Sequence, residues 1–218
     1  MNLTPFLAYA KWTSLVPAGF RFSVKLPRTI TQFARLRDVD ALLDTFMDEV
    51  RGLGRKLGRL LVQLPPSLAF DPSIADAFIT GLRNRAGGMG IACEPRHASW
   101  GHPEAEALLL AHRVARVAAD PPRFGSDAQP GGARPPYYRL HGSPRLYFDA
   151  YGESRLLALA EQLRGQRDAW VIFDNTAHGH ALADALCLEG MLGISPPHDA
   201  GAAKLAHPLA GAPPWPMS

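Results

Sequence analysis

Gly90-Ile91-Ala92-Cys93-Glu94-Pro95-Arg96-His97-Ala98-Ser99-Trp100 is the stretch on which the reading of this chain turns. It opens with a short apolar run, Ile91 to Cys93, of the kind a buried strand makes. It then delivers a carboxylate, a guanidinium and an imidazole in close succession, at Glu94, Arg96 and His97. Such groups are costly to bury without partners. At one strand end they form either a paired structural network or a site.

The same arrangement repeats on both sides of that stretch. Upstream, Phe20 to Lys25 is strand-like, and a helical spacing of apolar residues runs from Val39 to Leu53 with Asp38 as its expected cap. Leu60 to Leu64 is a second strand, stopped by Pro65 and Pro66, and Ile74 to Leu82 a second helix, closed by Gly87 and Gly88. Downstream of the quoted stretch come a helix from Pro103 to Arg113 and a fourth strand within Val114 to Asp120. Pro121 to Pro136 is a long connection with five prolines and three glycines. Tyr137 to His141 is a fifth strand, followed by a helix from Glu153 to Leu163. Trp170 to Asp174 is a sixth, with Val171 to Phe173 expected to be buried as Leu60 to Leu64 and Ile91 to Cys93 are, and it is followed by a helix from Gly179 to Glu189.

Six strand-then-helix units in succession predict an α/β fold with a parallel sheet wrapped by helices. Ligands of such folds bind at the carboxyl ends of the strands. Those ends here read Lys25, Gln63, Glu94 with Arg96, Asp120, Arg139 with His141, and Asp174 with Asn175. Residues two apart in a strand share a face, so Glu94 aligns with Arg96 and Arg139 with His141. This layer favours a TIM-type (β/α) barrel of six units, incomplete against the usual eight. No glycine-rich fingerprint follows the first strand, which counts against a dinucleotide-binding fold. Residues 1–194 read as the barrel domain, and 195–218, rich in proline, alanine and glycine, as a disordered tail.

Composition narrows the classes. Of the 218 residues 47% are hydrophobic and 20% charged, the balance of an ordinary globular protein. The net charge is +3, and the 23 basic residues, all but four of them arginine, are scattered, which gives a nucleic-acid partner weak support. Cys93 and Cys187 lie in apolar runs and read as buried thiols, without a disulfide framework. There is no signal pattern and no apolar run of membrane-spanning length, so the reading is cytoplasmic with no membrane partner.

Three segments are similar to motifs of the YecE-like family, the domain of unknown function numbered seventy-two. Glu94 to Trp100 resembles its Glu-Phe-Arg-His-Pro-Ser-Trp signature. Tyr137 to Gly142 resembles its Tyr-x-Arg-x-His-Gly strand, with Tyr147 and Tyr151 in the downstream tyrosine positions. Phe173 to Ala181 resembles its Phe-Asn-Asn-Thr segment. Phe20 to Thr31 matches a further one, Phe-x-Phe-x-Val-Lys-x-Pro followed by Ile-Thr. The resemblance covers about Tyr9 to Leu192 and implies a TIM-type barrel of unestablished activity. Gln32 departs from the family's histidine and Asp174 from its common asparagine. The family's opening Gly-Trp strand and its Glu-x-Asn strand have no counterpart here. Their absence is expected to leave two unpaired sheet edges facing each other.

Two functional classes stay open. One is an enzyme, a hydrolase on a phosphorylated or otherwise anionic substrate, with Glu94, His141 and Asp120 as catalytic acid and base. Lys25, Arg96, His97, Arg139, Tyr147, Asp174 and Asn175 would bind the ligand, the guanidinium groups as anion clamps. A metal-dependent variant would recruit Glu94, Asp120, His97 and His141, although no His-x-x-x-His or cysteine-rich spacing supports a metal and the sequence names no cofactor. The other class is a non-catalytic protein that holds an anionic ligand or nucleic acid in the same pocket. Each residue also has a structural reading: Glu94 with Arg96 as a pair fixing register, Asn175 as a helix cap, and Tyr147 as packing.

Overall fold

In the computed structural model, residues 4–125 and 128–194 are described. The tail expected at 195–218 lies outside them. Helix α1 (Pro5–Ser14) precedes β1 (Phe22–Lys25), and α2 (Asp40–Val50) leads to β2 (Leu57–Gln63). Then follow α3 (Pro72–Ala86), β3 (Gly90–Glu94), α4 (Pro103–Ala111), β4 (Val114–Arg116) and β5 (Ala118–Asp120). The chain continues through β6 (Gly131–Gly132), β7 (Tyr137–Leu140), α5 (Glu153–Leu163), β8 (Trp170–Phe173) and α6 (His180–Met191).

Two sheets result, in the orders β1-β2-β3-β4-β6 and β5-β7-β8. All neighbours run parallel except the two-residue β6, which is antiparallel on β4. The sheets share one extended run of chain. β4 and β5 are separated only by Val117, whose N–H still bonds the Cys93 carbonyl at 2.8 Å. Up to that residue the run pairs with β3, and beyond it with β7. The six expected strands are therefore present in chain order, but they do not form a closed barrel. Hydrogen bonding splits at Val117, and β1 and β8 are unpaired with each other among the described residues.

Strand alternation sorts the side chains. Outward-facing Leu60, Val62, Ile91, Cys93 and Val114 pack in one core with Leu43, Phe46 and Val50 of α2, Phe78 and Leu82 of α3 and Leu109 of α4. On the inner face Leu61, Ala92, Ala115, Val117 and Tyr137 meet Trp170 and Ile172. Small Ala92 and Ala115 leave room for the two large rings, Tyr137 and Trp170, whose planes lie 5° from parallel with centroids 6.2 Å apart. This inner cluster joins strands of both sheets, so the two sheets curve toward each other. At Gly58 of β2 a Cβ would come within 2.7 Å of the Trp170 ring tip, so the ring from the far strand needs glycine there.

Local signals explain most boundaries. Asp71 caps α3 by accepting from the Ile74 N–H at 3.1 Å, with Pro72 in its first turn. Three expectations are corrected. Asp38 does not cap α2: it sits in the left-handed region at φ 51°, and Val39 takes the N-cap position. Cys187 is exposed, because it lies on the outer side of α6. Val171 to Phe173 are only half-buried, as befits an edge strand. Helix α1 was not foreseen. It buries no residue, and Phe6, Leu7 and Trp12 are exposed, so it carries no stripe to read. It is tethered instead by the Lys56 ammonium, which donates to the carbonyls of Thr13 (2.6 Å) and Val16 (2.7 Å).

Candidate functional site

Inner-facing positions at the strand carboxyl ends bring five ionisable side chains together. Glu94, the last residue of β3, is 1% exposed. Its carboxylate accepts from Gln63 Nε2 at 3.1 Å, from Arg96 Nη2 at 3.1 Å and from an Arg139 Nη1 donor. His141 Nε2 lies 3.2 Å from Glu94 Oε1. Asp174, just past β8, is reached by Arg139 Nη2 at 2.6 Å and lies 3.1 Å from His141 Nδ1. Arg139 and His141 thus each bridge the two carboxylates. Alternation within β7 makes this work, since Tyr137, Arg139 and His141 fall on one face. Pairing to Glu94 and Asp174 offsets the desolvation of each charge.

The electrostatics follow from this geometry. Burial alone would raise the Glu94 carboxyl, but the His141 hydrogen bond and the Arg139 and Arg96 charges hold it far below the usual carboxylate range. Burial opposes ionisation of Asp174 as well, and His141 and Arg139 overcome it in the same way. For His141, burial disfavours the cation, yet the hydrogen bonds to Asp174 and Glu94 raise its pKa above the ordinary value. Both ring nitrogens face a carboxylate, and only the imidazolium has a donor for each.

Lys25 ends β1 and opens into the cleft between β1 and β8. That cleft has a volume of about 410 Å³ and is also lined by Ser23, Tyr137, Arg139, Trp170 and Asp174. Ser23 Oγ and Tyr137 Oη lie 2.7 Å apart across it. Lys25 makes no hydrogen bond and no ion pair among the described residues. Its side chain stays solvent-exposed, yet partial desolvation first, and then the neighbouring Arg139 charge, push its pKa down against the opposing pull of Asp174 and Glu94.

Two roomier depressions lack such a constellation. One, about 490 Å³ between α5, β8 and α6, is lined largely by apolar residues such as Val171, Phe173 and Leu188. The other, about 570 Å³ and open, holds Arg134, Arg164 and Arg167 at the amino ends of β7 and β8. Parallel α/β folds bind their ligands at the opposite, carboxyl end of the strands.

Not every residue singled out from the sequence joins the cluster. Asp120 shares the outward face of Ala118, which packs on Ala160 and Leu163, and it pairs with Arg155 of α5 at 3.0 Å. Its side chain is on the wrong side of the sheet for the shared pocket. His97 caps the short 3₁₀ turn Ala98–Gly101, its Nδ1 3.2 Å from the Ser99 N–H and 2.8 Å from the Ser99 hydroxyl. Tyr147 sets its ring edge-on to His141, centroids 5.7 Å apart, and covers the network from outside. Asn175 is fully buried and donates to the Asp149 carbonyl (3.0 Å) and to Asp184 (2.7 Å). The metal-dependent variant needed Asp120 and His97 beside Glu94 and His141, and that set is dispersed. Among the described residues no three histidine, cysteine or acidic side chains gather as a metal site.

Sequence reasoning missed Asp184, a buried carboxylate on α6 that also accepts from the Tyr151 N–H at 3.0 Å. Flanked by alanines in a helix, it carried no signal. Ser23 and Tyr137 were likewise passed over, though their inward register was readable from Lys25 and Arg139.

The molecule is thus an α/β protein whose parallel strands end in a buried carboxylate–arginine–histidine network beside an open cleft. The model of the family described as "Protein of unknown function DUF72" matches residues 3–207, and the chain belongs to that family, the one also called YecE-like. A DUF72 family protein from Thermotoga maritima is 24% identical with a TM-score of 0.69, the match covering 86% of this chain and 79% of that one. One from Enterococcus faecalis is 20% identical with a TM-score of 0.71, covering 90% and 82%. At these identities the likeness is one of fold. No curated protein matches the chain. Among the described residues no helix is long and apolar enough to cross a membrane.

Proposed function

We propose that the cleft between β1 and β8 binds a small anionic ligand, phosphorylated or carboxylated, and that the network behind it performs acid–base chemistry on that ligand. The two sheets are read as six of the eight units of a TIM-type barrel, with the strand carboxyl ends as its mouth. The observation that carries the reading is a surplus of cations. Lys25, Arg96 and Arg139 stand against Glu94 and Asp174, and Lys25 has no hydrogen-bond or ion-pair partner among the described residues. His141 is fully buried, so Asp174, a third exposed, is the group that meets the ligand. His141 positions it and supplies its proton. Arg139 holds both carboxylates rather than the ligand, which leaves Lys25 and Arg96 as the anion contacts.

Hydrolysis of a phosphate or carboxylate ester in the cytoplasm is the simplest reaction for such a set. Non-catalytic binding of an anionic ligand or nucleic acid uses the same cations without proton transfer. Inorganic phosphate and small phosphate esters should raise the melting temperature of the protein in a saturable, salt-sensitive way, and Lys25→Ala should abolish that rise. An unchanged melting temperature across phosphate and dicarboxylate ligands would refute the anion site.

A further inference from the structure

The identity of the cation in the cleft carries more than anion binding. Nineteen of the basic residues are arginine and four are lysine, so arginine is this chain's default cation. Among the described lysines, Lys56 is held by two backbone carbonyls and Lys11 lies exposed in the last turn of α1. Lys25 alone of them lines the cleft, with Asp174 and Arg139 on the facing wall. An arginine there would bind an anion in a fixed fork and stay charged. What lysine adds is an amine that can lose its proton and expose a lone pair.

We propose that Lys25 is a carbonyl-reactive lysine, forming an imine with an aldehyde or ketone carried by a small anionic substrate. The proposal rests on the cleft being an anion site. Partial desolvation at the cleft and the Arg139 cation disfavour the ammonium form of Lys25, and they outweigh the Asp174 and Glu94 carboxylates, which favour it. In the first step the neutral amine nitrogen forms a bond to the carbonyl carbon. The π pair moves to oxygen, oxygen gains a proton and nitrogen loses one, giving a carbinolamine. In the second, oxygen takes another proton, the C–O bond breaks and water leaves, while the nitrogen lone pair closes the C=N bond and the nitrogen gives up its remaining proton. Amine plus carbonyl therefore gives imine plus water, with no oxidant or reductant. Asp174, on the cleft wall and hydrogen-bonded to His141, is placed to relay these protons. Arg96, close enough to act on Lys25 electrostatically, steadies the anionic end of the substrate.

The test is reductive trapping on the intact protein. The full chain is incubated with pyruvate or with dihydroxyacetone phosphate in the presence of cyanoborohydride, and the adduct is mapped by peptide mass spectrometry. One adduct per chain on the peptide carrying Lys25, suppressed by excess inorganic phosphate and lost in a folded Lys25→Arg variant, is the result expected. Adduct spread over Lys11 and the other lysines, or none with either probe, overturns the imine. A parallel melting experiment on the unmodified protein separates the two readings. A phosphate-induced rise without an adduct sinks only the imine, whereas neither rise nor adduct sinks the anion site as well.

Discussion

His141 Nδ1 lies 3.1 Å from Asp174 Oδ2, and the two residues follow neighbouring strands, β7 and β8. The Asp174 N–H bonds the Leu140 carbonyl at 2.7 Å, which extends the ladder one step and fixes the carboxylate opposite the ring. With Glu94 on the ring's other nitrogen, the imidazole cannot rotate without breaking two contacts. The network therefore holds Asp174 against the cleft wall.

Stability should depend on pH in both directions. Glu94 and Asp174 have folded-state pKa values below their ordinary values of 4.5 and 3.8. Their stabilisation is present above that range and is lost as pH falls through the depressed values. His141 has a folded-state pKa above 6.5, so its contribution is complete below 6.5 and disappears as pH rises through the raised value. Urea denaturation followed across pH should place maximal stability between the carboxylate range and 6.5. In His141→Asn the decline on the alkaline side should vanish. A profile that keeps rising above 6.5 in the parent protein would contradict this assignment.

Glu94→Gln should be severely destabilising. The amide keeps the shape but leaves Arg139 and His141 buried with one carboxylate between them. Removing one partner of a buried pair costs about 3–5 kcal/mol. Urea midpoints compared at constant slope would measure it, and a variant as stable as the parent would mean that these cations relax to other partners.

Much of this arrangement was legible because strand alternation is strict. Glu94 with Arg96, and Arg139 with His141, could each be placed on one face from their spacing, once β3 and β7 were recognised. Asp120 was misassigned by using its height in the sheet without its parity: Ala118 and Asp120 face outward, while Val117 faces inward. The gap between β1 and β8 followed from counting strands. The helix α1 did not, because it is held by the Lys56 ammonium rather than by a buried apolar stripe. Arg139 was legible as a site cation but not as a bridge between carboxylates, since Asp174 and Glu94 are far apart in sequence.

Gly58→Val should disturb the inner cluster. A side chain at this position meets the Trp170 ring tip at less than van der Waals distance, and Trp170 in turn stacks on Tyr137. Overpacking of this kind typically costs about 1–3 kcal/mol. Tryptophan fluorescence and the urea midpoint should both shift. An unaltered emission spectrum would show that the ring moves aside freely.

The two aspartates at strand ends should separate cleanly in a binding experiment. Asp120→Asn removes an ion pair with Arg155, whose side chain is 58% exposed, and such pairs contribute at most about 1 kcal/mol. Its carboxylate faces α5, so phosphate binding in the cleft should not change. Asp174→Asn instead removes a negative charge from the cleft wall and frees an Arg139 donor. An arriving phosphate then meets less repulsion and one more hydrogen-bond donor. Phosphate affinity should rise by about 3- to 10-fold, on the order of 1 kcal/mol. Any turnover that depends on proton transfer should fall in the same variant, because the asparagine amide cannot relay a proton. Calorimetric titration of both variants with inorganic phosphate reads the first effect directly. If Asp120→Asn altered the affinity and Asp174→Asn did not, the ligand would lie on the outer side of the sheet, and the cleft between β1 and β8 would not be the site.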